Sequence, residues 1–160
     1  MIRPARREDL PTIMSVFKGA RAFMHRSGNP LQWVSGYPSD QIILEDIAKG
    51  NFFVEETEGK VKGCFALIIG EEPTYSTIQG CWLDSLPYGT IHRLASDGSS
   101  KGFTDRCVEF CLTKISNLRA DTHKDNKIMQ KTLQRNGFRF CGIIRVANGS
   151  ERLAYQRPAQ

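Results

Sequence analysis

Apolar positions along this 160-residue chain recur with two periods, and the switches between the periods outline its elements. Leu10, Ile13, Met14, Phe17, Ala20 and Met24 fall at helical spacing behind the acidic start Glu8-Asp9, predicting a helix that ends by Ser27-Gly28. Ahead of it, Ile2 to Ala5 reads as a short edge strand, because Pro4 cannot donate to a ladder. Ser39 caps a second helix whose Ile43, Leu44, Ile47 and Ala48 turn inward, and Gly50 closes it in the left-handed position. Alternation then replaces helical spacing. Asn51 to Glu56 and Val61 to Ile69 form a hairpin across Glu58-Gly59-Lys60, and the second strand is apolar on both faces, as a central strand is. A further strand runs through Ile91 into a helix carrying Phe103, Cys107, Val108, Cys111, Leu112 and Ile115 inward, with Asp105, Arg106, Glu109 and Lys114 outward. Leu118 to Thr122 is another strand. Asp125 or Asn126 caps a helix with Met129, Thr132, Leu133 and Asn136 inward and Gly137 at its end. Phe138 to Val146 and Glu151 to Arg157 close the chain as a hairpin around Asn148-Gly149.

Two segments resist periodicity. Asn29 to Tyr37 is a loop holding Trp33 and Tyr37, and Gly70 to Gly89 is either a hairpin extension or a long loop. There are no internal repeats, linkers or low-complexity runs. The alternation of strands and helices therefore predicts one α/β domain over 1–160, a central mixed sheet with helices on both faces.

Composition narrows the function classes. Hydrophobic residues at 40% and charged residues at 24% are ordinary for a globular chain, and the length suffices to fold without staples. Arg3, Arg6 and Arg7 are followed by Glu8 and Asp9 rather than by an apolar core, so no signal peptide is read and a cytoplasmic location is expected. No run approaches membrane-spanning length, so no membrane partner is expected. Five cysteines without a CxxC pair, at 64, 81, 107, 111 and 141, read as free thiols. A zinc site from Cys107, Cys111 and His123 is disfavoured because both cysteines belong to an apolar helix face, and no metal is expected. The net charge of +5 comes from dispersed basic residues, which suit solvated faces and an anionic ligand better than nucleic acid.

The chemistry concentrates in Ile91 to Thr104, IHRLASDGSSKGFT, where a strand enters a Gly/Ser/Lys loop that opens a helix. First-turn amides lack intrahelical partners, the helix dipole adds positive potential, and small residues admit an anion closely. Ser99, Ser100, Lys101, Gly102, Phe103 and Thr104 would supply the donors of a phosphate site. The plain alternative is a βα turn whose glycines only reverse the chain.

This order of elements, with IHRLASDGSSKGFT in the middle and DNKIMQKTLQRNGFRFCGI after it, resembles the GNAT acetyltransferase superfamily from Ile2 to Arg157. The family's pyrophosphate loop, Arg/Gln-x-x-Gly-x-Gly/Ala, aligns on Ser99, Gly102 and Thr104, keeping the middle glycine. Asn126, Met129, Leu133 and Gly137-Phe138 follow the family's Asn-x-x-Ala … Gly-Phe arrangement. The resemblance implies a GNAT-like fold and acetyl-CoA as co-substrate, its pyrophosphate on the amides of Ser99 through Thr104. It implies the pantetheine arm along the backbone of Leu94, Ala95 and Ser96, where adjacent parallel strands splay, with Asn126 on the opposite wall. The implied activity is transfer of acetyl to a primary amine in a ternary complex, the alternative being a catalytically silent acyl-CoA sensor. A homodimer is compatible with the family.

Such chemistry needs a proton acceptor for the amine, donors for the oxyanion and an acid for the thiolate. The helix position that carries the family's thiolate-protonating tyrosine is Leu133 here. By alternation Tyr88, Thr90, His92 and Leu94 share one strand face, making His92 the first candidate base and Tyr88 a second candidate catalytic group. Glu72 and Asp84 are candidates for attracting a cationic acceptor, and Trp33 and Tyr37 for lining its cleft. His25 and His123 are assigned no role. The loop reading has a direct consequence: Gly102→Glu should abolish acetyl-CoA binding in calorimetry while leaving the fold intact, and undiminished affinity would remove the loop from the site.

Overall fold

A computed structural model describes all residues 1–160. The first half contains β1 (Ile2–Pro4), α1 (Leu10–Arg26), α2 (Asp40–Ala48), β2 (Phe52–Thr57), β3 (Lys60–Ile69) and the two-residue strand β4 (Gln79–Gly80). The second half contains β5 (Gly89–Ser96), α3 (Phe103–Leu112), β6 (Leu118–Thr122), α4 (Lys127–Arg135), β7 (Arg139–Arg145) and β8 (Glu151–Arg157). All eight strands join one mixed sheet in the order β1-β2-β3-β5-β6-β8-β7-β4. The fold class expected from the sequence is the one observed.

Local chemistry accounts for most of the boundaries. Glu58 and Gly59, both at positive φ, make the two-residue turn that returns β2 into β3. Ser39 Oγ accepts the Ile42 amide at the start of α2, and Asn126 Oδ1 accepts the Met129 amide at the start of α4, deciding between Asp125 and Asn126 as cap. The segment between β3 and β5 proves to be neither a simple hairpin nor an unstructured loop. It carries a single 3-10 turn at Pro73–Tyr75 and then β4, which pairs with β7 at the far sheet edge. Periodicity could not show this, since two residues are too few to alternate.

The two faces of the sheet carry separate cores. Phe53, Phe65, Leu67, Ile91, Phe103, Cys107, Cys111, Leu118 and Leu133 pack beneath α3 and α4. Ile13, Phe17, Trp33, Ile43, Phe52, Val54, Cys64 and Ala66 pack beneath α1 and α2. Cys64, Cys107 and Cys111 are fully buried, and all five cysteines are free thiols. No helix is long and apolar enough to cross a membrane.

Two irregularities shape the middle of the sheet. β5 and β6 run parallel but pair only at Gly89–Leu118 and Thr90–Arg119, so every later residue of β5 is without a neighbour on that side. On its other side β5 bulges against β3: Cys64 faces Ala95 and Ala66 faces His92, leaving Arg93 and Leu94 opposite Phe65 alone. Arg93 takes up the extra residue at φ 52°, a left-handed conformation costing on the order of 1–3 kcal/mol for a non-glycine residue. Its guanidinium is pinned by the buried Asp46 of α2, at 2.8 and 2.7 Å, and reaches the Tyr37 hydroxyl at 3.1 Å.

Close approach of β3 to α3 needs a glycine. A Cβ on Gly63 would stand 2.7 Å from the buried Phe103 ring, the first residue of α3. Gly63→Ala should therefore destabilise the fold by about 1–3 kcal/mol, read as a lowered urea midpoint at constant slope. An unchanged midpoint would mean that α3 can shift freely.

Candidate active site

Where β5 and β6 part, a cleft of about 500 Å³ passes through the sheet from one face to the other. Its lining divides accordingly. Ile91, Leu94, Thr104, Val108, Ala120, Met129 and Leu133 belong to the α3/α4 side, an apolar wall. Trp33, Tyr37, Glu72, His92, Arg93, Asp121 and Arg152 give the opposite side its charge and its aromatic rings.

At one end of the cleft stands the start of α3. Gly102, the N-cap, sits at φ 77°, and the amides of Ser100, Lys101, Gly102, Phe103 and Thr104 donate to no protein atom. These donors converge on the first turn, where anions are stabilised. Arg106 keeps the loop in shape. It donates to Lys101 O at 2.7 Å and to Ser100 Oγ at 2.8 Å while gripping the buried Glu55 carboxylate bidentately at 2.7 and 2.8 Å. Ser99 departs from expectation: Asp97 Oδ1 accepts both its amide, at 2.9 Å, and its hydroxyl, at 2.6 Å. The Asp side chain closes its own local turn there, so the Ser99 amide is not free for a ligand.

The bulge also corrects the face assignment along β5. His92, opposite Ala66, faces α1, whereas Leu94 packs with Ile91 against the α3/α4 core. The left-handed Arg93 breaks the alternation, so His92 and Leu94 lie on opposite faces. Leu94, Ala95 and Ser96 present backbone without a β6 partner, and Ala95 and Ser96 still pair with β3. Asn126 lines the cleft across from them. Its Oδ1 caps α4, and its Nδ2 donates to Gln32 Oε1 at 3.0 Å, leaving one amide hydrogen for another partner.

On the charged side, His92 Nε2 lies 3.6 Å from Glu72 Oε1. Glu72 also accepts from the Thr74 hydroxyl at 3.1 Å, and its carboxyl is held below the ordinary carboxylate value, chiefly by the imidazole. Trp33 stacks edge-on against Phe17 at 5.5 Å. The Tyr75 hydroxyl donates to Asp121 at 2.7 Å, and burial raises its pKa well above that of a free phenol.

Two candidates lie elsewhere. Tyr88 is buried outside the cleft, its hydroxyl accepting the Glu72 amide at 2.8 Å and its ring covering the Arg119 guanidinium, which Trp82 covers from the other side. It supports Glu72 from behind. Asp84 sits at the closed end of the β5/β6 pair, where its Oδ1 accepts from Asn117, Gln156 and the Leu86 amide. It therefore does not face an acceptor. Sequence reasoning missed Gln32, Arg93, Asp121 and Arg152. For Asp121 and Arg152 a signal existed, a charge at an inward-facing strand position.

No protein-family model matches the sequence, and no curated protein matches it. Among solved structures, the GNAT-family acetyltransferase from Streptococcus agalactiae 2603 is 31% identical with a TM-score of 0.89, the match covering 100% of this chain and 95% of that one. The chain belongs to the GNAT acetyltransferase family. Two more distant structures share the fold. A GNAT-family acetyltransferase from Listeria monocytogenes 4b F2365 is 20% identical at TM-score 0.73, covering 99% of this chain and 94% of its own. The N-acetylglutamate synthase of Neisseria gonorrhoeae, solved with coenzyme A and N-acetyl-glutamate, is 18% identical at TM-score 0.67, covering 100% of this chain and 35% of its own. In this GNAT protein the free amides of residues 100 to 104 and the unpaired edge of β5 suit a diphosphate with an amide-bearing arm, which is the chemistry of coenzyme A.

A titratable group stands beside the hydrogen bonds that tie the Trp33 loop to β6. Gln32 Oε1 receives Thr122 Oγ1, the His123 amide and Asn126 Nδ2, joining the Trp33 loop to the end of β6. Beside it, His123 Nδ1 accepts the Asp125 amide at 3.0 Å, and burial, aided by Arg152, lowers its pKa below the ordinary 6.5. As pH falls below that value the unfolded chain takes up the proton before the folded chain does. The contribution of neutral His123 is thus present above about pH 6.5 and lost as pH falls. Thermal melts should show a shallower loss of stability on acidification in His123→Gln than in the parent, and parallel curves would contradict this.

Proposed function

We propose that the protein is an N-acetyltransferase carrying acetyl from acetyl-CoA to a primary amine by direct attack in a ternary complex. The observation that carries this reading is the two-sided cleft: unpaired first-turn amides and a free strand edge on one face, and the His92–Glu72 pair on the other. A thioester held against β5 and an amine approaching from the α1 side would meet in the opening between the strands. Family membership supports acyl transfer in general, and the coenzyme A bound by the gonococcal synthase supports the choice of donor.

His92 is the proton acceptor in this scheme. With Nε2 turned toward Glu72, Nδ1 is the ring nitrogen left to take the amine's proton, and the carboxylate stabilises the imidazolium that forms. The amine nitrogen bonds to the acetyl carbon as the carbon–sulfur bond breaks. A thiolate leaves and takes a proton from solvent, which its ordinary pKa of about 8.5 permits without a dedicated acid. That point matters because Leu133, buried and on the cleft wall, stands where the family carries its tyrosine. The unpaired β5 backbone beyond Thr90 offers amide donors to the arm and to the developing oxyanion.

His92→Ala should lower kcat by about 10²- to 10⁴-fold with little change in acetyl-CoA affinity, and should remove the acid limb of the pH–rate profile. An unaltered profile would eliminate His92 as base. Tight CoA binding with no turnover across an amine panel would favour the silent sensor.

A further inference from the structure

We infer that the acceptor is a small amine that also carries a carboxylate, gripped by Arg152 while the amine faces Asp121 and the His92–Glu72 pair. The inference rests on the acetyltransferase reading and adds the class of its substrate. Arg152 is only 5% exposed, yet it lines the cleft and forms no ion pair with any carboxylate of the chain. Its bonds go to neutral oxygens: Ser150 Oγ, Glu151 O and Gln32 O. Nε makes no hydrogen bond, and Nη2 spends one of its two hydrogens on Gln32. The Nε hydrogen and the second Nη2 hydrogen are left for a carboxylate, the group whose two oxygens the planar guanidinium fork matches.

A buried cation without a counter-ion is costly, and the other cleft arginine shows the usual remedy: Arg93 is neutralised by Asp46. Burial lowers the pKa of Arg152, with Asp121 acting the other way. Asp121 completes the case. It pairs with Ala154 on β8, so Arg152, two residues along, is its diagonal neighbour on the same face, at about 7–8 Å between Cα atoms. The two do not meet in an ion pair, and Asp121 has the Tyr75 hydroxyl rather than a cation on its Oδ2. The Tyr75 ring in turn lies 6.3 Å from the His92 imidazole. A positive and a negative group that form no ion pair with each other therefore line one cleft as diagonal neighbours, which is the complement of a zwitterion such as an amino acid. Trp33 and Tyr37 would cover its side chain, and an acceptor lacking the carboxylate would leave Arg152 unpaired.

The test uses α-, β- and γ-amino acids, each beside its carboxamide and its decarboxylated amine, titrated calorimetrically into the CoA-loaded protein and assayed for thiol release from acetyl-CoA. The expected result is that at least one amino acid binds and is acetylated with kcat/KM about 10- to 100-fold above that of its carboxamide. Arg152→Gln should erase that preference by raising KM for the carboxylate alone, with CoA affinity unchanged, and Arg152→Lys should restore part of it. Should the variants not fold, the parent's preference among the three matched probes decides. Binding of no amino acid, or amines and carboxamides handled as well as their carboxylates, overturns the inference. Tight, carboxylate-dependent binding without turnover would keep it and overturn acetyl transfer instead.

Discussion

After Thr90 the fifth and sixth strands cease to share hydrogen bonds, and the rest of the site exists because of that parting. A parallel pair left open midway exposes backbone donors and acceptors that a continuous sheet would consume. The opening persists because each strand is committed elsewhere. β5 is held by β3 along its other edge, β6 is held by β8 through five consecutive pairs, and the two cores load opposite faces. The bulge at Arg93 adds to this by turning His92 to one face while Leu94 turns to the other. A strained residue is tolerated there because Asp46 and Tyr37 over-determine its position.

Charge is placed with the same economy on the two sides of the opening. On the α3 side Arg106 neutralises Glu55 and shapes the loop in one move, leaving the amides of residues 100 to 104 free. On the α1 side the Trp33 loop is tied down through Gln32, whose side-chain oxygen accepts from Thr122 at the end of β6 and whose main-chain carbonyl accepts from Arg152. The aromatic wall of the cleft therefore depends on polar latches rather than on burial alone. Each latch joins residues 90 or more positions apart, so the acceptor side forms only when the whole chain is in place.

The helices, the β2–β3 turn, the capped start of α4 and the Gly/Ser/Lys loop that opens α3 were legible because each depends on neighbours in sequence: periodic burial, a Glu-Gly turn, a side chain capping its own helix. The choice of Asn126 over Asp125 as cap came from the structure. The His92–Glu72 proximity was half legible, since both were singled out but nothing local joined them. Tyr88 and Asp84 were misplaced for one reason. An inward-facing polar group looks alike whether it faces a cleft or a buried network, and only the packing around Arg119 and Gln156 tells them apart. Ser99 failed on a detail of the same kind, a carboxylate two residues away that claims its amide.

What this chain's sequence determined by itself is the succession of elements outside the Gly70–Gly89 segment and the small-residue character of the loop before α3, because hydrophobic period, turn residues and caps act over a few positions. The tertiary structure alone decided where β5 and β6 separate, that β8 lies between β6 and β7, and that Arg152 and Asp121 share a face without pairing. Those outcomes come from long-range strand pairing and from the competition of distant groups for the same partner. No local pattern records such contacts, since their energies arise only once segments far apart in the chain are brought together.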